Sequence, residues 1–366
     1  MDKRKILLLE GIFDQNTLSR YSTISPAVNF WHMGFIKALM MSNEVFVIGY
    51  MQERAWPYGK LFIRASKGKL FETIAGKVIG YINIPIIRDF ILSKKYIKAI
   101  NSYIIKYGMP NYLISFNDSP ATKAAKYFQR KFGIKWIFIA GDGLAVDGAD
   151  GYIIQNWNYF NSSDFLTKIH LDGGLPEISS QIRNHKVRSI MYMGSLTVHG
   201  GALQLARAFH RLKGLEFELW LTGRGASDEL EKIASSDSRI KLYGFIGDNE
   251  LHDLCSRAYI FANPRVQNFA PNLLNYPSKL LHYLAYKKPV ISTFTAGLSP
   301  DYEEILIQIS DENELSFTEL LHKTLTMNKK EYEFWQKKIE KFNTSHSWLF
   351  QSKRLNHWLI KNFENK

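Results

Sequence analysis

The 366-residue chain holds a single cysteine, Cys255. No internal disulfide can form, and one thiol in a chain of this length fits a reducing compartment. Cys255 falls in a helix-like stretch, Glu250 to Arg257, where a buried packing role is the expected one. Long apolar runs are missing as well. No window approaches about 18 uncharged apolar residues, and the run Ile6 to Leu9 is too short for a secretory leader, so neither a membrane span nor an export signal is expected. Gly-x-Gly-x-x-Gly does not follow the first strand, which runs instead into Gly11-Ile-Phe-Asp-Gln-Asn16. A nicotinamide dehydrogenase is thereby discounted. No pair of carboxylates stands out for two-carboxylate hydrolysis, which argues against a glycosidase.

Acidic side chains are scarce in one region only. Arg54 to Lys135 holds 16 basic and 3 acidic residues, the whole of the net charge of +13, while the remainder is balanced at 31 of each. A localised field implies a localised anionic partner. Large apolar residues interleave with the basic ones, as in Lys60-Leu-Phe-Ile-Arg64 and Tyr81-Ile-Asn-Ile-Pro-Ile-Ile-Arg88. That pattern favours an anionic membrane surface, contacted through 54–135, over a merely solvated face. No helix-turn-helix, zinc-finger or RRM signature supports nucleic acid.

With 46% hydrophobic and 22% charged residues the composition is globular, and the length suggests two cores. Strand-like runs at Lys5 to Ile12, Glu44 to Tyr50, Tyr112 to Phe116 and Lys135 to Ala140 alternate with helical spacing at Pro26 to Met41, Ser93 to Tyr107 and Ser119 to Phe132. Turn formers dominate Leu171 to Lys186. Alternation then restarts, with strands at Arg188 to Met193, Glu218 to Thr222, Ile240 to Tyr243, Tyr259 to Ala262 and Pro289 to Ser292. Helices are expected between them, one of them running from Pro277 to Lys287. The expected fold is α/β, with two Rossmann-like doubly wound parallel-sheet domains facing a cleft. Their bounds are 1–180 and 187–345, and a last helix, 346–366, crosses back to the first.

Ligands of such sheets sit at the carboxyl ends of the strands. Gly194-Ser195 follows one strand, with His199 close behind, and Gly223-Arg224-Gly225 follows the next. Glycine there lets the backbone approach a phosphate. Asn263-Pro264-Arg265 ends a third strand. Pro277-Ser278-Lys279 then opens a helix, grouping free N–H groups, a hydroxyl and an ammonium as an anion site. His282 lies one turn on from Ser278, on the same face. In the first half, Asp142 ends a strand and should stand at the cleft edge; a turn-forming Asp is the alternative. Asp142, Asp147 and Asp150 lack the closing Glu of a calcium loop, and no metal site is expected. His32, between Trp31 and Met33, reads as a packed or surface histidine.

The order of these motifs from Arg188 to Glu304, above all Tyr276-Pro-Ser-Lys-Leu-Leu-His-Tyr-Leu-Ala-Tyr-Lys-Lys-Pro-Val-Ile291, resembles the donor domain of the retaining GT-B glycosyltransferases of bacterial polysaccharide and lipopolysaccharide assembly. The resemblance implies transfer of a sugar from a nucleotide-sugar donor to a glycolipid or polysaccharide acceptor. It also implies metal independence, no cofactor beyond the nucleotide-sugar co-substrate, and work at the cytoplasmic face of a membrane. Gly194, Ser195, Gly223, Arg224, Ser278, Lys279 and His282 would then hold the donor, with Lys279, Arg265 and Asp142 as catalytic candidates. The glutamate pair usual in the family would fall at Leu274 and His282. A noncatalytic nucleotide-sugar-binding or scaffold protein is therefore kept as the alternative.

Overall fold

The computed structural model describes residues 3–13, 26–71, 74–117, 119–141, 145–178, 187–213, 216–267 and 269–364. The chain divides into two compact units, Met1–Gly174 with Trp348–Lys366, and Leu175–Ser347.

The first unit contains β1 (Arg4–Leu9), β2 (Asn43–Tyr50), β3 (Phe62–Ile63), β4 (Ser66–Phe71), β5 (Ile74–Ile79), β6 (Tyr81–Ile82), β7 (Tyr112–Phe116), β8 (Lys135–Ala140), β9 (Gly151–Ile154) and β10 (Lys168–His170). Eight of these form one sheet in the order β10-β9-β8-β7-β1-β2-β5-β4. Every neighbouring pair is parallel except β4 with β5.

Successive side chains alternate between the two faces of a strand. Leu7, Leu9, Leu113, Trp136 and Phe138 accordingly join one core, with the helices Pro85–Tyr107 and Ser119–Phe132. Ile6, Leu8, Ile114, Ile137 and Ile139 join another, with Pro26–Met40 and the last helix, Trp348–Phe363. Both faces are covered, which is why these strands read as nearly unbroken apolar runs. The last helix is fastened by polar contacts too. Ser352 donates to the Ala38 carbonyl at 2.6 Å, and Tyr112 donates to Glu364 at 2.9 Å.

The helix expected from Ser93 begins eight residues earlier, at Pro85. Ile84 before it is extended, and proline at the first helical position needs no donor there and has the right φ.

The second unit contains β11 (Arg188–Met193), β12 (Phe217–Thr222), β13 (Ile240–Gly244), β14 (Ile260–Asn263), β15 (Val290–Ser292) and β16 (Ile307–Gln308). They form one sheet in the order β13-β12-β11-β14-β15-β16, parallel throughout. Two cores again lie on its faces, one built on Ile190, Tyr192, Leu219 and Leu221, the other on Met191, Trp220 and Phe261. The expectation of two Rossmann-like α/β sheets is met. The two ends of this unit lie side by side: Leu175 pairs with Ser347 in a parallel bridge, and its N–H donates to the His346 carbonyl at 2.8 Å. Of the turn-rich stretch Leu171 to Lys186, residues 179–186 lie outside the described residues. Among the described residues no helix is long and apolar enough to cross a membrane.

Candidate functional site

The order of the second sheet reverses between β11 and β14. In an open parallel sheet such a reversal leaves a crevice beyond the carboxyl ends of the two strands, because their following connections depart in opposite directions. Two of the glycine-marked turns and Asn263-Pro264-Arg265 end β11, β12 and β14, around that crevice.

The turns are drawn tightly together. The Gly194 N–H donates to the Thr222 carbonyl at 3.0 Å, Leu196 to the Arg224 carbonyl at 2.8 Å, and Gly223 to the Gly244 carbonyl at 2.8 Å. Gly223 has φ +146°, and a Cβ there would stand 1.6 Å from the Gly194 carbonyl oxygen. Gly201, at φ +75°, is as close to the Pro264 carbonyl oxygen, 1.6 Å from an ideal Cβ. A side chain at either place would force the loops apart, so glycine is demanded by close approach as well as by backbone angle.

Three cationic or potentially cationic groups converge on this place. Lys279 reaches over the Tyr192 ring, with Nζ 4.1 Å from its centre, and an ideal Cβ on Gly194 would lie 3.3 Å from that nitrogen. Burial, and secondarily the Arg265 guanidinium, push the Lys279 ammonium well below its ordinary pKa. The His199 ring is lowered by burial first, then by Arg265 and Lys279. Mutual repulsion of this kind costs stability, and an anion would relieve it. Among the described residues Lys279 forms no ion pair with a carboxylate.

Neutral groups fix these side chains in place. Asn272, 1% exposed, donates to the carbonyls of His199 at 3.2 Å and Val266 at 2.7 Å, and its oxygen faces Arg265 Nη1 at 3.5 Å. His199 Nδ1 lies 2.7 Å from Thr197 Oγ1, which is itself 2.7 Å from Ser195 Oγ. The His199 ring stacks on Phe269 at 5.9 Å between centres. The Tyr283 hydroxyl receives the Met193 N–H at 2.8 Å and donates to the Met193 carbonyl at 3.3 Å, holding the end of β11. Thr293, after β15, donates to the Arg265 carbonyl at 2.8 Å.

The helix bearing Lys279 differs from expectation. It spans Lys279–Ala285, two residues later at its start, with Ser278 as a residue of helical backbone that makes no side-chain capping bond. The Leu280 N–H donates to the Pro277 carbonyl and the Ser278 N–H to Tyr276, so a tighter turn precedes the α-helical ladder. Buried Tyr276, bonded through its hydroxyl to Tyr302 at 2.6 Å, anchors that turn.

The structure thus brings Gly194, Ser195, Gly223, Arg265 and Lys279 to one end of the sheet, with Ser278 next to Lys279 in the chain. Arg224 joins them through its backbone, while its guanidinium lies over the exposed Phe245 ring at 4.0 Å. His282 sits beside Tyr286, 5.6 Å between ring centres, and burial, then His252, lower its pKa to about 4. It is neutral at physiological pH. Asp142 lies outside the described residues. His32 packs edge-on against Phe116 at 4.4 Å and stands 3.9 Å from Glu10, with its pKa lowered to about 3 by burial. Asp150 accepts bonds from the Trp136 N–H at 3.0 Å, Gln129 at 2.8 Å and Lys135 at 3.0 Å, a clamp on the start of β8. Among the described residues no group of three His, Cys, Asp or Glu side chains is placed to hold a metal ion. Tyr192, Thr197, Phe269 and Asn272 were not singled out by sequence; Asn272 had a signal in its place beside the Asn-Pro-Arg turn, but its partner carbonyl lies 73 residues away.

Residues 187–324 match the family described as Glycosyl transferases group 1, and that stretch contains every group assembled around β11 and β14. A search of curated proteins by sequence finds no match. Among solved structures, a glycosyltransferase from Rickettsia africae is 12% identical, with 100% of each chain covered and a TM-score of 0.70. Sucrose-phosphate synthase from Thermosynechococcus elongatus is 15% identical over 98% of this chain and 100% of its own, with a TM-score of 0.63. The lipopolysaccharide outer core galactosyltransferase WaaB is 12% identical over 98% and 99%, with a TM-score of 0.62. At such identities the likeness is one of fold. The chain therefore has the two-Rossmann architecture of GT-B proteins, and its residues 187–324 match a glycosyl transferases group 1 domain.

Proposed function

We propose that this protein is a metal-independent glycosyltransferase. In this reading it moves a sugar from a nucleotide-sugar donor, held by the second unit, to a lipid-linked or polysaccharide acceptor, with retention at the anomeric carbon, in cell-surface glycan biosynthesis. The observation that carries the reading is Lys279. An ammonium depressed by burial and by Arg265, without a carboxylate partner among the described residues, beside a glycine turn at a strand-order reversal, suits a diphosphate.

When the sugar–phosphate bond breaks, negative charge grows on the leaving diphosphate. Lys279 and Arg265 are already oriented beside the Gly194 and Gly223 turns, so they stabilise that charge without reorganising. Ser195 and Ser278 supply hydroxyls to phosphate oxygens, and neutral His282 a hydrogen bond to the nucleoside. Asp142 is proposed to act on the acceptor or the transferred sugar. The basic stretch 54–135 would hold the protein on the inner face of the cytoplasmic membrane, where a lipid-linked acceptor is found.

A thermal-shift panel of nucleoside diphosphates tests the donor site, because a ligand confined to the folded state must raise its stability. Turnover with the matching nucleotide sugar follows, and Lys279→Ala should abolish it with the fold intact; unchanged kinetics would count against the assignment. A second reading, binding without catalysis, is favoured by Leu274 and His282 at the positions of the family's glutamates. A diphosphate shift with no transfer to any lipid or glycan acceptor would select it.

A further inference from the structure

The first unit exposes an apolar cluster that its own fold does not use. β3 and β6 form an antiparallel ribbon in which Phe62 lies opposite Ile82 and Ile63 opposite Tyr81. Ile63 and Tyr81 are buried, whereas Phe62 is 67% exposed and Ile82 37%. Asn83, fully buried, ties the ribbon together. Its Nδ2 donates to the carbonyls of Arg54 at 2.6 Å and Lys60 at 3.1 Å, its N–H donates to Leu61 at 2.7 Å, and its carbonyl accepts from Trp56 at 3.0 Å. The helix Pro85–Tyr107 starts two residues later and presents Ile86, 93% exposed, and Phe90, 66% exposed, in its first turns. Trp56 and Tyr58 are exposed as well.

Single exposed apolar side chains are ordinary, but a contiguous group held by buried hydrogen bonds marks an interaction surface. Its charge identifies the partner. Segments 54–64 and 81–98 carry seven basic side chains and one acid, Asp89, which is engaged by Arg88 at 3.5 Å. Arg54, Lys60, Arg64, Lys94, Lys95 and Lys98 are exposed around the apolar group. A second copy of the chain would set like charge against like. A nucleic acid would match the charge and leave Ile86 and Phe62 without purpose. An anionic bilayer accepts both, apolar side chains below the headgroups and ammonium groups among them.

We infer that this tip, rather than the whole of 54–135, docks the first unit into an anionic bilayer as a pre-formed wedge of Phe62, Ile82, Ile86 and Phe90. The inference deepens the membrane part of the function proposed above and does not depend on sugar transfer. The other basic surface, Lys123, Lys126, Arg130 and Lys131 on the helix Ser119–Phe132, has only Tyr127 and Phe132 among its cations, 38% and 42% exposed and each covered by Lys131, well short of Phe62, Ile86 and Phe90.

Full-length protein is floated with vesicles of phosphatidylglycerol and phosphatidylcholine, and with phosphatidylcholine alone. Phe62→Ser with Ile86→Ser keeps every charge and should lower the partition coefficient for anionic vesicles by about tenfold or more. A variant with Lys123, Lys126, Arg130 and Lys131 each changed to Gln should lose less. Cys255 is buried, so Phe62→Cys can be labelled alone with a polarity-sensitive fluorophore. Its emission should shift to the blue on anionic vesicles, while the same label at Lys126→Cys should not shift. No binding of the wild type to anionic vesicles, an unshifted label at position 62, displacement from vesicles by a single-stranded oligonucleotide at lower concentration, or a dimer in ultracentrifugation that Phe62→Ser with Ile86→Ser dissolves would each overturn the inference. A diphosphate-induced thermal shift without vesicle binding defeats the wedge and leaves sugar transfer standing; vesicle binding without any diphosphate effect does the reverse.

Discussion

At Lys279 the stability of the fold and the proposed binding of an anion act against each other. Its folded pKa is depressed below the ordinary 10.5, so between the two values the unfolded chain binds the extra proton. Stability contributed at this residue therefore rises with pH through that window, and falls as pH drops from the unfolded value to the folded one. Lys279→Met should accordingly raise the melting temperature of the second unit in the ligand-free protein near neutrality, by about 2–4 °C for each kcal/mol relieved in a unit of its size. Scanning calorimetry with and without a nucleoside diphosphate should show that gain together with loss of the ligand-induced shift. Anion binding should also draw a proton onto Lys279, visible as a buffer-dependent heat in titration calorimetry that the Met variant lacks. His32 follows the same sign. Its pKa is about 3 in the fold against 6.5 unfolded, so stability is lost as pH falls through that interval, and His32→Phe should flatten the acid limb of a stability–pH profile. Gly201→Ala combines a φ of +75° with a Cβ 1.6 Å from the Pro264 carbonyl oxygen; a loss of about 2 kcal/mol or more in chemical denaturation is expected.

Among the elements, the helix Asp248–Arg257 is closed by an unusual cap. Buried Lys288 donates to the carbonyls of Ser256 at 2.6 Å, Cys255 at 3.3 Å and Ala258, and burial lowers its pKa to about 8. Lys288→Met would strand these carbonyls, at about 1–3 kcal/mol for each one left buried without a donor, measured as a shifted denaturation midpoint. No sequence pattern marks such a contact, since the cap lies 30 or more residues from its partners. Strands Tyr112–Phe116, Lys135–Ala140 and Arg188–Met193 and the helix Ser119–Phe132, by contrast, carry the bounds their apolar pattern predicts, because each is buried in the interior of a sheet or packed along one stripe. β3 and β6 have two residues each, too few to show any period, and their aromatic and aliphatic residues, with the basic ones flanking them, read only as an interfacial stretch. The same division holds at the candidate site. Gly194, Gly223, Arg265 and Lys279 are legible because glycine or a cation just after a strand, or a cation at the start of a helix, has a local reason, whereas Tyr192 and Asn272 act across the fold and look like ordinary core and loop residues.

On the scale of the whole molecule, unit two is an insertion within unit one, entered at Leu175 and left at Ser347, and those two points lie bridged together. An inserted unit whose ends meet needs nothing from its host to close its own sheet, so a fragment of residues 175–347 should fold alone and keep the diphosphate-induced shift in melting temperature. Its host has no such independence. Leu355, Trp358 and Leu359 of the last helix cover Ile6, Leu8 and their neighbours, so a chain stopped at Ser347 should leave residues 3–174 open to protease while 175–347 resists. Synthesis runs from the N-terminus, and units fold as their residues emerge. The portion begun second is thus finished first, and the ribosome must release nearly the entire polypeptide before the earliest strands acquire the cover that seals them.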